Sequence, residues 1–244
     1  MNSLIILPAE CVDVSCAVLE GARAAYAYDT HGIRAGQRVK AAVMGGLRGE
    51  ALVKESSLQR VVLELSLTVA ALEPRPLDLV VGVSRPQTIK KVVQAAVMLG
   101  AKSLHFVRSE KGEKSYLQST ALLEESLREE SLKALEQVWD SRPPAIVVHR
   151  SFSHFCGKKL SELEHAAHGL KLVAHPGGQP VRGAAPRGAA GGAVLALGPE
   201  RGWSEAEIGA FRDQGFTVVD LGERVLRVEI ALTFMLGQLD ALAQ

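Results

Sequence analysis

Cysteine is scarce in this 244-residue sequence. Cys11, Cys16 and Cys156 are an odd number without a CxxC pair, which argues against both a disulfide framework and a structural zinc site. The seven histidines follow no metal-ligand spacing, and His154 with Cys156 lacks further clustered ligands, so no metal is expected. Aromatic residues make up only 5% of the chain, and its two tryptophans, Trp139 and Trp203, read as packing residues before base-stacking ones. No stretch approaches the roughly 18 uninterrupted apolar residues of a membrane span. Met1 to Pro8 carries no basic flank before its short apolar run, so the expectation is a cytoplasmic protein without a membrane segment. The net charge of +1 gives no overall attraction for a polyanion, and its distribution has to carry that argument.

What is present is enough apolar content, 47%, to bury a substantial core in one large or two modest domains. Residues 21 to 60 hold seven basic residues (Arg23, Arg34, Arg38, Lys40, Arg48, Lys54, Arg60) against three acids. Residues 110 to 136 reverse the balance, with seven acids against four bases, as on a solvated helix face. Up to about residue 72 short β-type runs, Arg38 to Val43 and Arg60 to Val69 among them, are broken by glycine turns with little helical periodicity. Glu73-Pro74-Arg75-Pro76 then stops regular structure, and the boundary is set there, giving a small β domain over 1–72 and a second domain over 73–244.

Beyond the boundary, strands are expected at Leu77–Val83, Ser103–Val107, Ala145–His149, Leu170–Ala174, Ala193–Leu197 and Thr217–Asp220. Helices are expected at Pro86–Leu99, Ala121–Val138, Ser153–Ala167, Glu205–Gln214 and Val228–Leu242. Such alternation specifies a largely parallel sheet covered by helices on both faces, an α/β domain. His175 to Gly192, rich in Gly, Pro and Ala, reads as a mobile surface loop, either a linker or a substrate gate. Val228, Ala231, Leu232, Met235, Leu239 and Leu242 recur at helical spacing on the last helix, a candidate homodimer face.

The chemistry concentrates in two strand-turn-helix passages. Leu195 to Ile208 runs from an apolar strand through a glycine turn into a helix opened by a capping box, Ser204 with Glu207. Glycines at the carboxyl end of a parallel strand let a ligand lie against the backbone. The turn is neither a phosphate-binding GxxxxGK(S/T) loop nor a GxGxxG fingerprint. About twenty residues on, Val218 to Ala231 repeats the pattern, and the two turns are placed to frame one ligand. Arg224 and Arg227 supply cationic donors there, and Glu229 a carboxylate at a helix start, where the helix dipole alone would favour it.

Gly198-Pro-Glu-Arg-Gly-Trp-Ser followed by Leu221-Gly-Glu-Arg-Val-Leu-Arg-Val-Glu-Ile-Ala231 resembles the GPEGG(F/L)S and LGxRxLRxETA signatures of the ribosomal small-subunit RNA uridine-N3 methyltransferases, of the SPOUT class. The resemblance implies a trefoil-knotted domain, an exception to the rule that chains do not thread loops, behind an N-terminal PUA-like RNA-binding β-barrel. It also implies a homodimer and S-adenosylmethionine as cofactor, held by Ala174, His175 and Pro176, by Gly198, Pro199, Glu200 and Gly202, and by Leu221, Gly222, Val225 and Leu226. Arg227 and Glu229 then become the catalytic pair, Arg227 stabilising a deprotonated uracil and Glu229 orienting it or taking the proton. Arg34, Arg38, Lys40, Arg201 and Arg224 become the ribosomal RNA contacts. The sequence departs from the family where Arg201 replaces a glycine, Ile230 a threonine and Asp140 an arginine, and where Ala96-Val-Met-Leu-Gly100 lacks a glutamate. A ribose 2′-O-methyltransferase and a catalytically silent RNA-binding relative are the alternatives.

Overall fold

The computed structural model describes residues 3–184 and 192–243. They divide into two compact units, one taking the chain up to Glu73 together with Ser131–Pro143, the other Pro74–Glu130 and the chain from Pro144 on. Among the described residues no helix is long and apolar enough to cross a membrane.

The first unit is a five-stranded sheet in the order β1-β3-β4-β5-β2, with β1 (Leu4–Ile6), β2 (Cys16–Glu20), β3 (Arg38–Val43), β4 (Arg48–Ser56) and β5 (Arg60–Val69). β1 runs parallel to β3, and every other pairing is antiparallel. Alternation along β5 buries Val61, Leu63 and Leu65 against Leu4, Ile6, Leu19 and Val53. A helix that periodicity missed, α1 (Gly21–Ala25) continued by a π-helical stretch at Tyr26–Thr30, covers that core with small residues only, Ala24 and Ala27. The last turns of α3 (Glu124–Val138) bring Glu136 and Trp139 to the same unit. There Arg48 is buried, its Nε donating to the Ala70 carbonyl at 2.9 Å and its Nη1 to that of Trp139 at 2.9 Å.

The basic residues of this unit are engaged. Arg38 lies 3.8 Å from Glu50, Lys54 2.9 Å from Glu64 and Arg60 3.9 Å from Glu55. The Arg34 guanidinium sits 3.7 Å over the Tyr28 ring and the Lys40 ammonium 4.7 Å over that of Trp139.

The second unit is a six-stranded, wholly parallel sheet in the order β11-β9-β10-β6-β7-β8. The strands are β6 (Arg75–Gly82), β7 (Ala101–Val107), β8 (Ala145–His149), β9 (Leu170–Pro180), β10 (Ala193–Leu197) and β11 (Thr217–Asp220). One face is covered by α2 (Pro86–Met98) and α7 (Val228–Ala243), which bury Ile89, Val93, Leu232 and Met235. The other face takes Phe155, Trp203, Ile208 and Phe211, the last two from α6 (Glu205–Asp213).

Three expectations are corrected here. The helix expected over Ser153–Ala167 is broken into α4 (Phe152–His154), a π-helical turn at Phe155–Lys159 and a 3-10 turn at Leu160–Glu162, because Gly157 and two adjacent lysines leave too narrow an apolar stripe for a continuous helix. The segment from His175 is not loop throughout: β9 continues to Pro180 and α5 (Val181–Ala184) follows, since β11 pairs with Gln179 and Pro180 as well as with Leu172 and Val173. The rest of that expected loop, 185–191, lies outside the described residues. On α7 the stripe read as a dimer face serves its own unit instead: Val228, Leu232 and Met235 are buried, and Ala231, Leu239 and Leu242 pack against the same core. The large apolar side chains exposed on α7 are Ile230 and Phe234, 48% and 47% open.

A buried polar chain crosses the sheet. Asp78 accepts from Ser103 Oγ and from His165 Nδ1 at 2.9 Å; Ser103 Oγ reaches His105 Nε2 at 3.1 Å, and His105 Nδ1 reaches His149 Nε2 at 2.9 Å.

Candidate active site at the carboxyl edge of the sheet

β9, β10 and β11 end side by side, and their carboxyl ends enclose a cavity of about 930 Å³, within the usual range for small-molecule sites. The β9–β11 register jumps from Val173–Val218 to Gln179–Val219, which leaves Ala174–Gly178 standing out of the pairing with β11 to form one wall. The turn after β10 is tight for a steric reason. A side chain on Gly198 would meet the Gly202 backbone at 2.7 Å, and one on Gly82 would meet Pro199 Cδ at 2.3 Å. Gly202 itself has φ of 69°, a conformation that glycine adopts without strain.

The cavity collects Ala174, His175 and Pro176, then Gly198, Pro199, Glu200, Arg201 and Gly202, and finally Leu221, Gly222, Arg224, Val225, Leu226, Arg227 and Glu229. Arg34, Arg38 and Lys40 belong to the other unit. Glu200 is turned towards α2, where Oε1 accepts from the Arg85 backbone N–H at 3.0 Å and from Thr88 Oγ1 at 3.0 Å, capping that helix. Arg201, 72% exposed, is part of the lining and pairs with Glu113 at 3.3 Å. Glu229, in the first turn of α7, lies 3.3 Å from Lys91. Arg224 and Arg227 are exposed and form no ion pair among the described residues.

Sequence reasoning missed two contributors. Asp220 accepts from the Gly177 N–H at 2.8 Å and the Gly222 N–H at 2.9 Å, tying the turns after β9 and β11 together, and those hydrogen bonds hold its carboxyl below the usual range. Arg85, Gln87, Thr88, Lys91 and Lys111 complete the lining; Pro86 at a helix start marked that end of α2 but not that it would meet the two later turns. His175 Nδ1 is buried without a hydrogen-bond partner among the described residues, an acceptor or donor left for a ligand. Among the described residues no cluster of three or more His, Cys, Asp or Glu is placed to hold a metal ion.

The family described as the RNA methyltransferase domain matches residues 71–240, the stretch that carries this parallel sheet and its cavity. The ribosomal RNA small subunit methyltransferase E of Treponema pallidum is 32% identical over 236 residues, covering 94% of this chain and 87% of the relative. The chain therefore belongs to the ribosomal RNA small subunit methyltransferase E family. Two solved structures share its fold. That of the same-named enzyme of Neisseria gonorrhoeae, bound to S-adenosyl methionine, has a TM-score of 0.74 at 22% identity, over 98% of this chain and 96% of that one. A Legionella pneumophila protein in complex with the cofactor SAM has a TM-score of 0.77 at 21% identity, over 99% and 98%.

Proposed function

We propose that the chain transfers the methyl group of S-adenosylmethionine to N3 of a uridine in small-subunit ribosomal RNA. The observation that carries this reading is the cavity itself, where three backbone turns converge and Arg227 and Arg224 stand exposed without an ion pair among the described residues. The residues present fit the cofactor: the unpartnered His175 Nδ1 and the close backbone approach at Gly82, Pro199 and Gly198 make a pocket with polar atoms to spare and no room for side chains. Ala174–Pro176, Gly198–Gly202 and Leu221–Leu226 would hold it. When bound, it supplies an electrophilic methyl group.

The chain's own residues then orient and deprotonate the base. Arg227 donates to a uracil carbonyl oxygen and stabilises the negative charge that develops as the imide loses its proton. Glu229, fixed by Lys91, is the acceptor for that proton. Arg224 and Arg201 meet RNA phosphate at the rim, and Arg34, Arg38 and Lys40 do so from the first unit, whose exposed ion pair at 3.8 Å is weak enough to exchange for phosphate. That unit, with residues 1–72 as its core, is read as the PUA-like domain, supported by its five-stranded, mostly antiparallel sheet. The trefoil knot over 73–244 is supported by the strand order, which inserts β9 between β10 and β11. An RNA substrate of this kind places the protein in the cytoplasm.

Incubating the protein with small ribosomal subunits and methyl-labelled S-adenosylmethionine, then digesting the RNA for mass spectrometry, should return 3-methyluridine. A methyl group on ribose O2′, or none, overturns the reading.

Two further results are expected. Gly82→Ala forces Pro199 to move, because its ring and backbone nitrogen lie 2.3 and 2.6 Å from the new methyl group. Overpacking of this kind costs about 1–3 kcal/mol, so where that cost falls on the turn that holds the cofactor, affinity in calorimetry should fall about fivefold or more while far-UV circular dichroism stays unchanged. A homodimer formed through the exposed Ile230 and Phe234 face of α7 should dissociate in light scattering on Phe234→Glu. A wild-type monomer at micromolar concentration would defeat that assignment.

A further inference from the structure

A second cavity, of about 600 Å³, opens at the same sheet edge beyond β7 and β8. Glu110 lines it, while Lys111, the next residue, lines the first cavity. Neighbouring Cα atoms are about 3.8 Å apart, so one segment of chain separates the two. Resting on the RNA methyltransferase reading, we infer that this second cavity receives the nucleotide adjoining the methylated one in single-stranded RNA, with Arg108 and Arg150 on its phosphate and Phe152 against its base.

The observations are of charge, shape and fixed geometry. Arg108 and Arg150 follow directly on β7 and β8, and the Arg108 N–H donates to the His149 carbonyl at 3.0 Å, so the two strands end level. Both arginines are exposed and form no ion pair among the described residues, unlike Arg38, Lys54 and Arg60 of the first unit. Arg108 is in the lining, and Arg150 immediately precedes the lining residue Ser151 in the chain. Phe152 is half-buried, its ring held edge-on to Phe211 at 5.3 Å and tilted against Trp203 at 5.8 Å, a rigid platform for a base.

The remaining polar groups give the site a preference. Glu207 is saturated, accepting from Ser109 Oγ, the Glu110 N–H and the Ser204 N–H at 2.8–2.9 Å, and is structural. The Cys156 thiol is also spent, donating to the Ala210 carbonyl at 3.7 Å, and burial pushes it up to about 11. Glu110 and Asp213 are exposed carboxylates without ion-pair partners among the described residues. Carboxylates accept from amino N–H groups, so an amino-bearing base, guanine above all, is favoured over uracil.

The test uses the full chain and fluorescein-labelled pentaribonucleotides with a central uridine flanked by guanosines or by uridines. Fluorescence anisotropy should give at least fivefold tighter binding of the guanosine-flanked probe, a preference that the E110Q/D213N double variant loses. R108A/R150A should weaken binding about tenfold and reduce the slope of log affinity against log salt by about 0.7 per lost phosphate contact, and F152A should weaken it by a similar factor with the slope kept. If wild-type protein methylates RNA while R108A/R150A keeps both affinity and slope, this inference alone falls. If wild-type protein neither binds nor methylates RNA, the methyltransferase reading falls with it.

Discussion

Arg227→Ala is expected to lower kcat for methyl transfer about a hundredfold while the dissociation constant for S-adenosylmethionine changes less than threefold. The guanidinium is exposed at the cavity mouth and committed to no other group among the described residues, so its removal disturbs no packing. A donor aimed at developing negative charge is worth about 10²–10³ in rate when deleted. The pH profile separates this role from a positional one. Without the cation the imide gives up its proton less readily, so the rate of the variant should keep rising into alkaline solution after wild-type has levelled off. Arg227→Lys should recover part of the rate, because a point charge replaces the planar fork. An alanine variant with unchanged kcat, or a reduced kcat on an unchanged pH profile, rejects the assignment.

The two units should respond to pH in opposite directions. Burial, with the neighbouring His149 adding to it, lowers His105 of the second unit to about 4 from an ordinary 6.5. Between those values the unfolded chain holds the proton more readily, so that unit loses stability as pH falls through the window. Burial pushes Glu136 of the first unit up to about 7 from an ordinary 4.5, its carboxylate facing His31 at 3.4 Å, with Arg23 and Tyr26 close by. Here the folded chain holds the proton, so Glu136 costs that unit stability as pH rises from 4.5 to 7, outweighing the smaller opposite effect of His31, which burial holds below its usual range. Each effect is of order 3 kcal/mol when complete. The chain's two tryptophans divide the measurement, since Trp139 belongs to the first unit and Trp203 to the second. Urea melts of W203F report the first unit and melts of W139F the second, and between pH 7 and pH 5 the first midpoint should rise while the second falls. Glu136→Gln should flatten the first dependence and leave the second. Midpoints that shift together in wild-type, untouched by Glu136→Gln, would exclude this account.

Much of the second unit could be read in the sequence because each strand there is a short apolar run between helix caps and glycine turns. Ser204 with Glu207 announced α6, and in the structure both capping-box hydrogen bonds are made. The two glycine turns carried the cavity for the same reason: backbone approach demands glycine, and glycine is visible. What periodicity could not show is pairing between distant segments. The jump that lifts Ala174–Gly178 away from β11 depends on β11, some forty residues later, and the segment's glycines and prolines imitate a loop. The N-terminus of α2 joined the cavity unannounced, because nothing local in Arg85 to Lys91 tells which strand ends will lie opposite. On α7 the apolar stripe was seen correctly but its partner was not, since a helix records that a face is covered and not by what.

The carboxylate of Glu207 reaches three points of the chain: a serine hydroxyl after β7, the amide that follows it, and the amide at the start of α6. The same stretch of chain, between residues that line one cavity and residues that line the other, is tied a second time where the Lys111 ammonium donates to the Trp203 carbonyl at 2.8 Å. On the reading proposed above, the step from the methylated base to its neighbour in the second cavity would be held by these cross-links.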